Sequence, residues 1–300
     1  MQNVDRPRFY VNILEYLGAI GYTEINNRYR TDPTSVKSSG QTISTPVPGG
    51  IFGEKSFVAY LGHKGGALSW SSNEDSSTFT EIVNGTLGDD TNALNPDHHG
   101  FSIASFDGLD VGSEITTHNE NEICSIVVGN YYDMQAPDLN LKLSYEYDGI
   151  KNITSKGGAT LTNATYTKPA DWGNTGAWQL GDIDGQGISN IRSGRRSWSL
   201  SFSFLNDTDV FPVNATTSNP LNTSPSDDTL LNGTDFFSQV WNRTVGLPFI
   251  FQPNGGGGVA GEGNFNPDQF CIARFDQSSL QLTQTSPNLY SISLKIRESW

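Results

Sequence analysis

The sequence predicts a mainly β protein: an antiparallel β-sandwich, then a second small antiparallel sheet or split barrel with one packed α-helix. Three observations carry this. Apolar and polar residues alternate strictly in "LNLKLSYEY", "RSWSLSFSF" and "YSISLKIRESW", and a period of two is what a strand with one dry and one wet face requires. The chain holds 32 glycines and 14 prolines with many Ser, Thr and Asn, a composition that favours short strands and turns over long helices. A clear helical spacing is confined to 235–245. With 300 residues, 35% of them hydrophobic, the chain can bury a real core, and the length fits two ordinary domains.

Residues 1–50 read as an N-terminal arm. A short apolar opening from Phe9 to Leu17 gives way to "NNRYRTDPTSVKSSGQTISTPVPGG", which has no period and too little apolar surface to order itself alone. Residues 51–172 read as the sandwich. "SFVAYLGH" and "CSIVVGN" are two apolar strands ending in Gly and a polar turn residue, and "DLNLKLSYEYDGI" directs Leu139, Leu141, Leu143, Tyr145 and Tyr147 to its dry face. The Gly- and Trp-rich "KPADWGNTGAWQLGDIDGQG" makes the seam.

Residues 173–300 form the second β domain. Trp198, Leu200, Phe202 and Phe204 alternate with serines in one strand, and Tyr290, Ile292, Leu294 and Ile296 line another. Between them, Phe236, Phe237, Val240, Trp241 and Val245 gather on one helical face, with Asp235, Ser238, Gln239, Asn242 and Arg243 opposite. Thr234 suits the cap, Arg243 the negative end of the dipole and Gly246 the stop. "LPFIFQ", with Phe249 and Phe251, continues as a strand, and "DQFCIARFD" returns as the next. One helix across an antiparallel sheet is the economical way to bury these aromatics.

A formal net charge of −14 opposes binding to nucleic acid, which rests on Lys and Arg displacing counterions. The opening "MQNVDRPRFYVNILEYLGAIGY" has no cleavage pattern of a secretory signal, and no apolar stretch reaches the length of a membrane span. Cys124 and Cys271 sit in the apolar runs "EICSIVV" and "QFCIARF" and read as unpaired core thiols. The sequons at Asn84, Asn163, Asn214 and Asn232 are what a chain rich in Asn, Ser and Thr produces by chance.

Catalytic and metal signals are weak. His98 and His99 lie near Asp89, Asp90 and Asp97, but neighbours in an extended chain point to opposite sides, so a solvated loop is favoured over a metal site. Asp182, Asp184 and Gly185 make part of a calcium-like turn without the closing acidic ligand. His63 and His118 are isolated, and no nucleophile elbow, phosphate-binding loop or Cys/His triad spacing occurs. No enzyme activity and no cofactor are expected. Tyr131, Tyr132, Trp70, Trp172 and Trp178 fall near expected loops and could stack on sugar rings, although such aromatics more often serve as core lids or interface anchors.

The last third, "SGRRSWSLSFSFL", "FFSQVWNRTVGLPFIFQP", "DQFCIARFD" and "NLYSISLKIRESW", resembles the tail proteins of tailed bacteriophages, especially the distal and minor tail proteins of the tail tip. The shared text is W-x-L-x-F, a helix beginning near a double Phe, G-x-P-F-x-F, a strand ending R-F, and a closing strand. The upstream "CSIVVGNYYDMQAPDLNLKLSYEYDGIKNITSKGGATL" looks like a jelly-roll or discoidin-like domain of phage structural proteins. The resemblance implies a virion component, assembled in the host cytoplasm as a symmetric ring or trimer. Its partners would be copies of itself and other tail proteins, and it carries no catalytic residues to transfer. A carbohydrate-binding, host-recognition or adaptor and decoration role is the alternative. In distal tail proteins the accessory domain follows the tube-like one, whereas here the sandwich comes first.

Overall fold

A computed structural model of the chain describes residues 4–22, 26–31, 41–47, 51, 55–62, 68–72, 80–81, 101–107, 114–119, 123–147, 150–164, 194–211, 233–256 and 269–299. The chain opens with β1 (Arg8–Asn12), which runs directly into α1 (Ile13–Ala19), followed by a 3-10 turn, Asn27–Tyr29. Next come β2 (Gln41–Pro46), β3 (Lys55–Leu61), β4 (Leu68–Ser72), β5 (Thr80–Glu81), β6 (Phe101–Asp107), β7 (Glu114–Asn119) and β8 (Ser125–Asp133). Then follow β9 (Lys142–Glu146), β10 (Ile150–Thr154), β11 (Thr160–Ala164), β12 (Arg195–Asn206) and α2 (Asp207–Val210). A π-helical turn, Phe237–Trp241, leads into α3 (Asn242–Thr244), and β13 (Phe249–Gln252), β14 (Cys271–Phe275), β15 (Leu282–Ser286) and β16 (Leu289–Glu298) complete the described elements.

The mainly β expectation holds, and the strand pairings run across the expected boundaries of arm, sandwich and second domain. Ten strands form one antiparallel sheet in the order β6-β3-β8-β1-β13-β14-β16-β12-β9, with β15 beside β16. β1, from the expected arm, lies between β8 and β13, and β9, from the expected sandwich, pairs with β12 across the expected seam. All three predicted segments thus contribute to one sheet. Local composition marks the seam, whereas the pairings join residues from about fifty to more than two hundred positions apart. Two smaller sheets accompany it: β2-β7-β4-β5, and the hairpin β10-β11.

The sheet has a core on each face. Phe9, Val11, Val58, Tyr60, Val128, Phe249 and Phe251 belong to one cluster, and Tyr10, Phe57, Ala59, Leu61, Val127 and Ile250 to the other. Alternate residues of one strand go to opposite clusters, which is why β1, β3, β8 and β13 read as unbroken apolar runs. The sheet is also curled. β13 and β12 are separated by β14 and β16, a span of roughly 14 Å in a flat sheet, yet the rings of Phe251 and Trp198 are 5.2 Å apart.

Two local details position the rest. Asn12 ends β1 and caps α1, accepting a hydrogen bond from the Glu15 N–H at 3.1 Å. Gly129 lies opposite Asn12 in β8, where a Cβ would sit 1.8 Å from the Val11 carbonyl oxygen. Only glycine lets the backbones approach this closely where β1 turns into its helix.

The helix near 235–245 is present but differs from the expected wheel. Asp235, not Thr234, accepts from the Ser238 N–H at 2.9 Å, and the Asn242 N–H bonds the Phe237 carbonyl five residues back. That wider turn rotates the later residues relative to a regular α-helix. Val245, which leaves the helix with ψ 107, is exposed, Ser238 and Arg243 are buried, and Phe237 is half-buried. Phe236, Val240 and Trp241 remain in the core. Phe236 meets Phe9 edge-on at 5.7 Å, and Trp241 lies 4.9 Å from Phe275.

Candidate functional site

Trp198, Phe202, Phe249 and Phe251 are, like Phe236 and Trp241, buried in the larger cluster, and Phe237 packs against it. Trp172 and Trp178 lie outside the described residues, as do His63, His98, His99, Asp89, Asp90, Asp97, Asp182, Asp184 and Gly185. Trp70 lies in β4 and His118 in β7.

Tyr131 and Tyr132 are not loop residues, because β8 runs through them to Asp133. Tyr131 is buried beneath the Arg8 guanidinium, which sits 4.1 Å from its ring centre. Tyr132 is half-buried, donates to the Asp209 carbonyl at 3.2 Å and meets Phe236 edge-on. Burial drives its phenol pKa up, assisted by Asp209, Asp235 and Asp133. Tyr131 is thus enclosed by the fold, whereas Tyr132 keeps part of its surface open.

The polar groups of the interior serve the fold. Arg8, fully buried, donates from Nε to Asp133 at 2.6 Å, and Lys55 reaches the same carboxylate at 3.0 Å. Burial alone would lower the Arg8 pKa, but Tyr10, Asp133 and Tyr131 reverse the sign and raise it, so the cation is held in place. Arg196 and Glu298 make a second buried pair at 3.1 Å, with Arg196 also donating to the Phe270 carbonyl. Glu15 accepts from the Thr31 N–H and hydroxyl. Arg28 donates to the Ile123 carbonyl at 2.8 Å, so the described residues 26–31 are tied to the segment that leads into β8. Arg243 donates to the Gln239 side chain at 2.9 Å and is pushed down to about 10 by burial, partly offset by Tyr16 and Asp235.

These clusters offer little chemistry. Among the described residues no group of three or more His, Cys, Asp and Glu could hold a metal ion. Neither Cys124 nor Cys271 forms a disulfide and both are buried, and burial pushes the Cys271 thiol up, away from nucleophilic reactivity. A cavity of ≈ 310 Å³ lies between Arg6, Tyr132, Asp133, Met134, Gln135, Leu205 and Asp209. Asp133 there is engaged by Arg8 and Lys55, and Asp209 accepts from Asn206 at 3.0 Å. No helix among the described residues is long and apolar enough to cross a membrane.

The surface is more informative. Leu139 is 100% exposed, Tyr145 52%, Ile153 62%, Leu161 61% and Phe204 72%. Leu139 precedes β9, and Tyr145 belongs to it; β9 is the last strand of the large sheet and pairs with β12 alone among the described strands. Ile153 and Leu161 stand directly opposite each other on the β10-β11 hairpin. Phe204 sits at a β-bulge in β12 with φ 62, a backbone conformation costly for a bulky side chain. The Asp138 N–H bonds the Ser201 carbonyl at 2.8 Å, and the Ser203 hydroxyl donates to Asp138. Leu139 and Phe204 are therefore held on neighbouring stretches of backbone. The sequence reading assigned Leu139, Tyr145, Tyr147 and Phe204 to dry faces because their alternation is regular. A half-covered edge strand shows the same period as a covered one. Compared with protein-family models, with curated proteins and with solved structures, the chain matches none.

Proposed function

We propose that this chain is a structural component of a phage virion, a tail or tail-tip protein that acts by assembling into a symmetric oligomer. The observation that carries this reading is the placement of its exposed apolar side chains. Leu139, Tyr145, Ile153 and Leu161 follow one another along the chain, with Phe204 beside the first of them, at one margin of the sheet and on the adjoining hairpin. A two-stranded hairpin has marginal stability alone in water, and apolar pairs on it gain from burial against a neighbour. The interior ion pairs are committed to holding strands together, which suits a building block.

The strand, helix, strand order of β12, the helix at 237–244, β13, β14 and β16 supports the tail-protein class through the resemblance it carries. Co-expression with tail-tube and tail-tip proteins, followed by mass measurement and negative-stain imaging at micromolar concentration, tests the assignment. Rings or trimers are expected, alone or on those partners; a monomer under every condition would overturn it.

A further inference from the structure

Resting on that assembly reading, we infer that two copies of this chain join edge to edge through β9, antiparallel across a two-fold axis at Ser144. The edge is suited to this. β9 pairs with β12 in unbroken register from Lys142 to Glu146, so the pleat is regular along its outer side. It contains no Pro and no bulge, the usual devices that keep an edge from pairing.

Self-complementarity selects the partner and the register. In "KLSYE" an antiparallel pairing centred on Ser144 sets Lys142 opposite Glu146 of the second copy, and Glu146 opposite its Lys142. Shifting the centre by one residue either way loses both Lys142–Glu146 pairs; centred on Tyr145, Lys142 would have to face Asp148, two residues past the end of β9. Directly opposed residues share a face, and the faces of β9 agree. Lys142, Ser144 and Glu146 lie on the polar side with Ser199, Ser197 and Arg195. Leu143 and Tyr145 lie on the core side with Trp198 and Arg196. Two Leu143–Tyr145 pairs would continue the apolar face from one copy into the next, and exposed Leu139 lies just beyond the strand. Glu146 already holds Arg297 at 2.8 Å and accepts from Ser197, both on its inner side, so Lys142 of the second copy would join a carboxylate that β12 and β16 hold in place.

The contact is isologous and closes on itself. It makes dimers, or joins two rings back to back, and does not build a ring. Five residues a side is small for a stable interface, so a dissociation constant in the micromolar range is expected.

Sedimentation velocity of the full chain up to about 200 µM tests it. Lys142→Glu alone and Glu146→Lys alone each set like charges opposite one another twice, and each should weaken dimerisation at least about tenfold. An equimolar mixture of the two variants should restore it, because every substituted side chain then faces its opposite. A misfolded chain gains nothing from mixing, so rescue separates a lost contact from a lost fold. Variants that dimerise like the parent, or a mixture no tighter than its components, overturn the inference. If rings form with tail partners and neither variant alters ring pairing, the β9 contact is wrong and the assembly reading stands. A parent that is monomeric with and without those partners sinks both.

Discussion

Phe9→Ala is the substitution that best separates a core strand from a flexible arm. Phe9 is fully buried, and its ring lies 5.7 Å from Phe236, 5.6 Å from Phe249, 5.3 Å from Phe251 and 6.1 Å from Phe275. Truncating a buried Phe costs about 3–5 kcal/mol. The upper half of that range applies here, because the four partners are anchored on the 237–244 helix, β13 and β14 and cannot all close into one cavity. Each aromatic pair adds about 0.5–1.5 kcal/mol beyond area burial, although four pairs to one ring do not sum independently. Urea unfolding followed by tryptophan fluorescence and far-UV dichroism reads the change as a fall in midpoint. A loss near 4 kcal/mol is expected; a loss below about 1 kcal/mol, typical of a surface site, would refute the placement of β1 in the sheet.

Two further substitutions test the buried charges. Asp133→Ala strips Arg8 and Lys55 of their shared carboxylate and leaves the fully buried Arg8 with Ser105 and the Tyr131 and Tyr10 rings. A cost of about 3–5 kcal/mol is expected, and Arg8→Met added to Asp133→Ala should recover part of it in the same denaturation assay. Asp235 gives a pH test. Burial raises its pKa above the ordinary value despite the bonds from Ser238 and Phe237, so above about pH 4 the native state binds more protons than the unfolded chain, and stability falls as pH rises through the native pKa. Asp235→Asn keeps an acceptor for the Ser238 N–H and removes the charge, so relative to the parent its stability should rise as pH increases above about 4. Glu15, also raised by burial, is present in both proteins and cancels in the difference; a flat difference would overturn the reading.

What was legible in the sequence was local. The alternation of β12 and β16 is visible because each has one buried and one open face, so period two survives in the text. The helix near 237–244 was visible from its aromatic spacing, but its π turn was not, since nothing in "FSQVW" marks a bond that skips one residue further. β1 was missed for the opposite reason. "RFYVN" is buried on both sides, has no period, and takes its partners from far away: Arg8 bonds a residue 125 positions on, and Tyr10 one 242 positions on. One signal was available. Asn12 and Glu15 form an N-x-x-E start, which fixes a helix beginning at Ile13 and leaves the preceding apolar run as a strand.

The same contrast bears on β9. A covered strand and an edge strand carry identical alternation, so "LNLKLSYEY" cannot say which side of its own backbone is paired. The structure supplies the missing half: β12 occupies one side, and Leu139 and Tyr145 stay exposed. Once the strand is known to be an edge, its sequence becomes informative again, because Lys142 and Glu146 are equidistant from Ser144. An edge meant to stay alone gains nothing from that symmetry, and repulsion between copies would be safer with like charges at both positions. Opposite charges at mirrored positions favour pairing with another copy in one register. That is the pattern which the mixed-variant experiment tests.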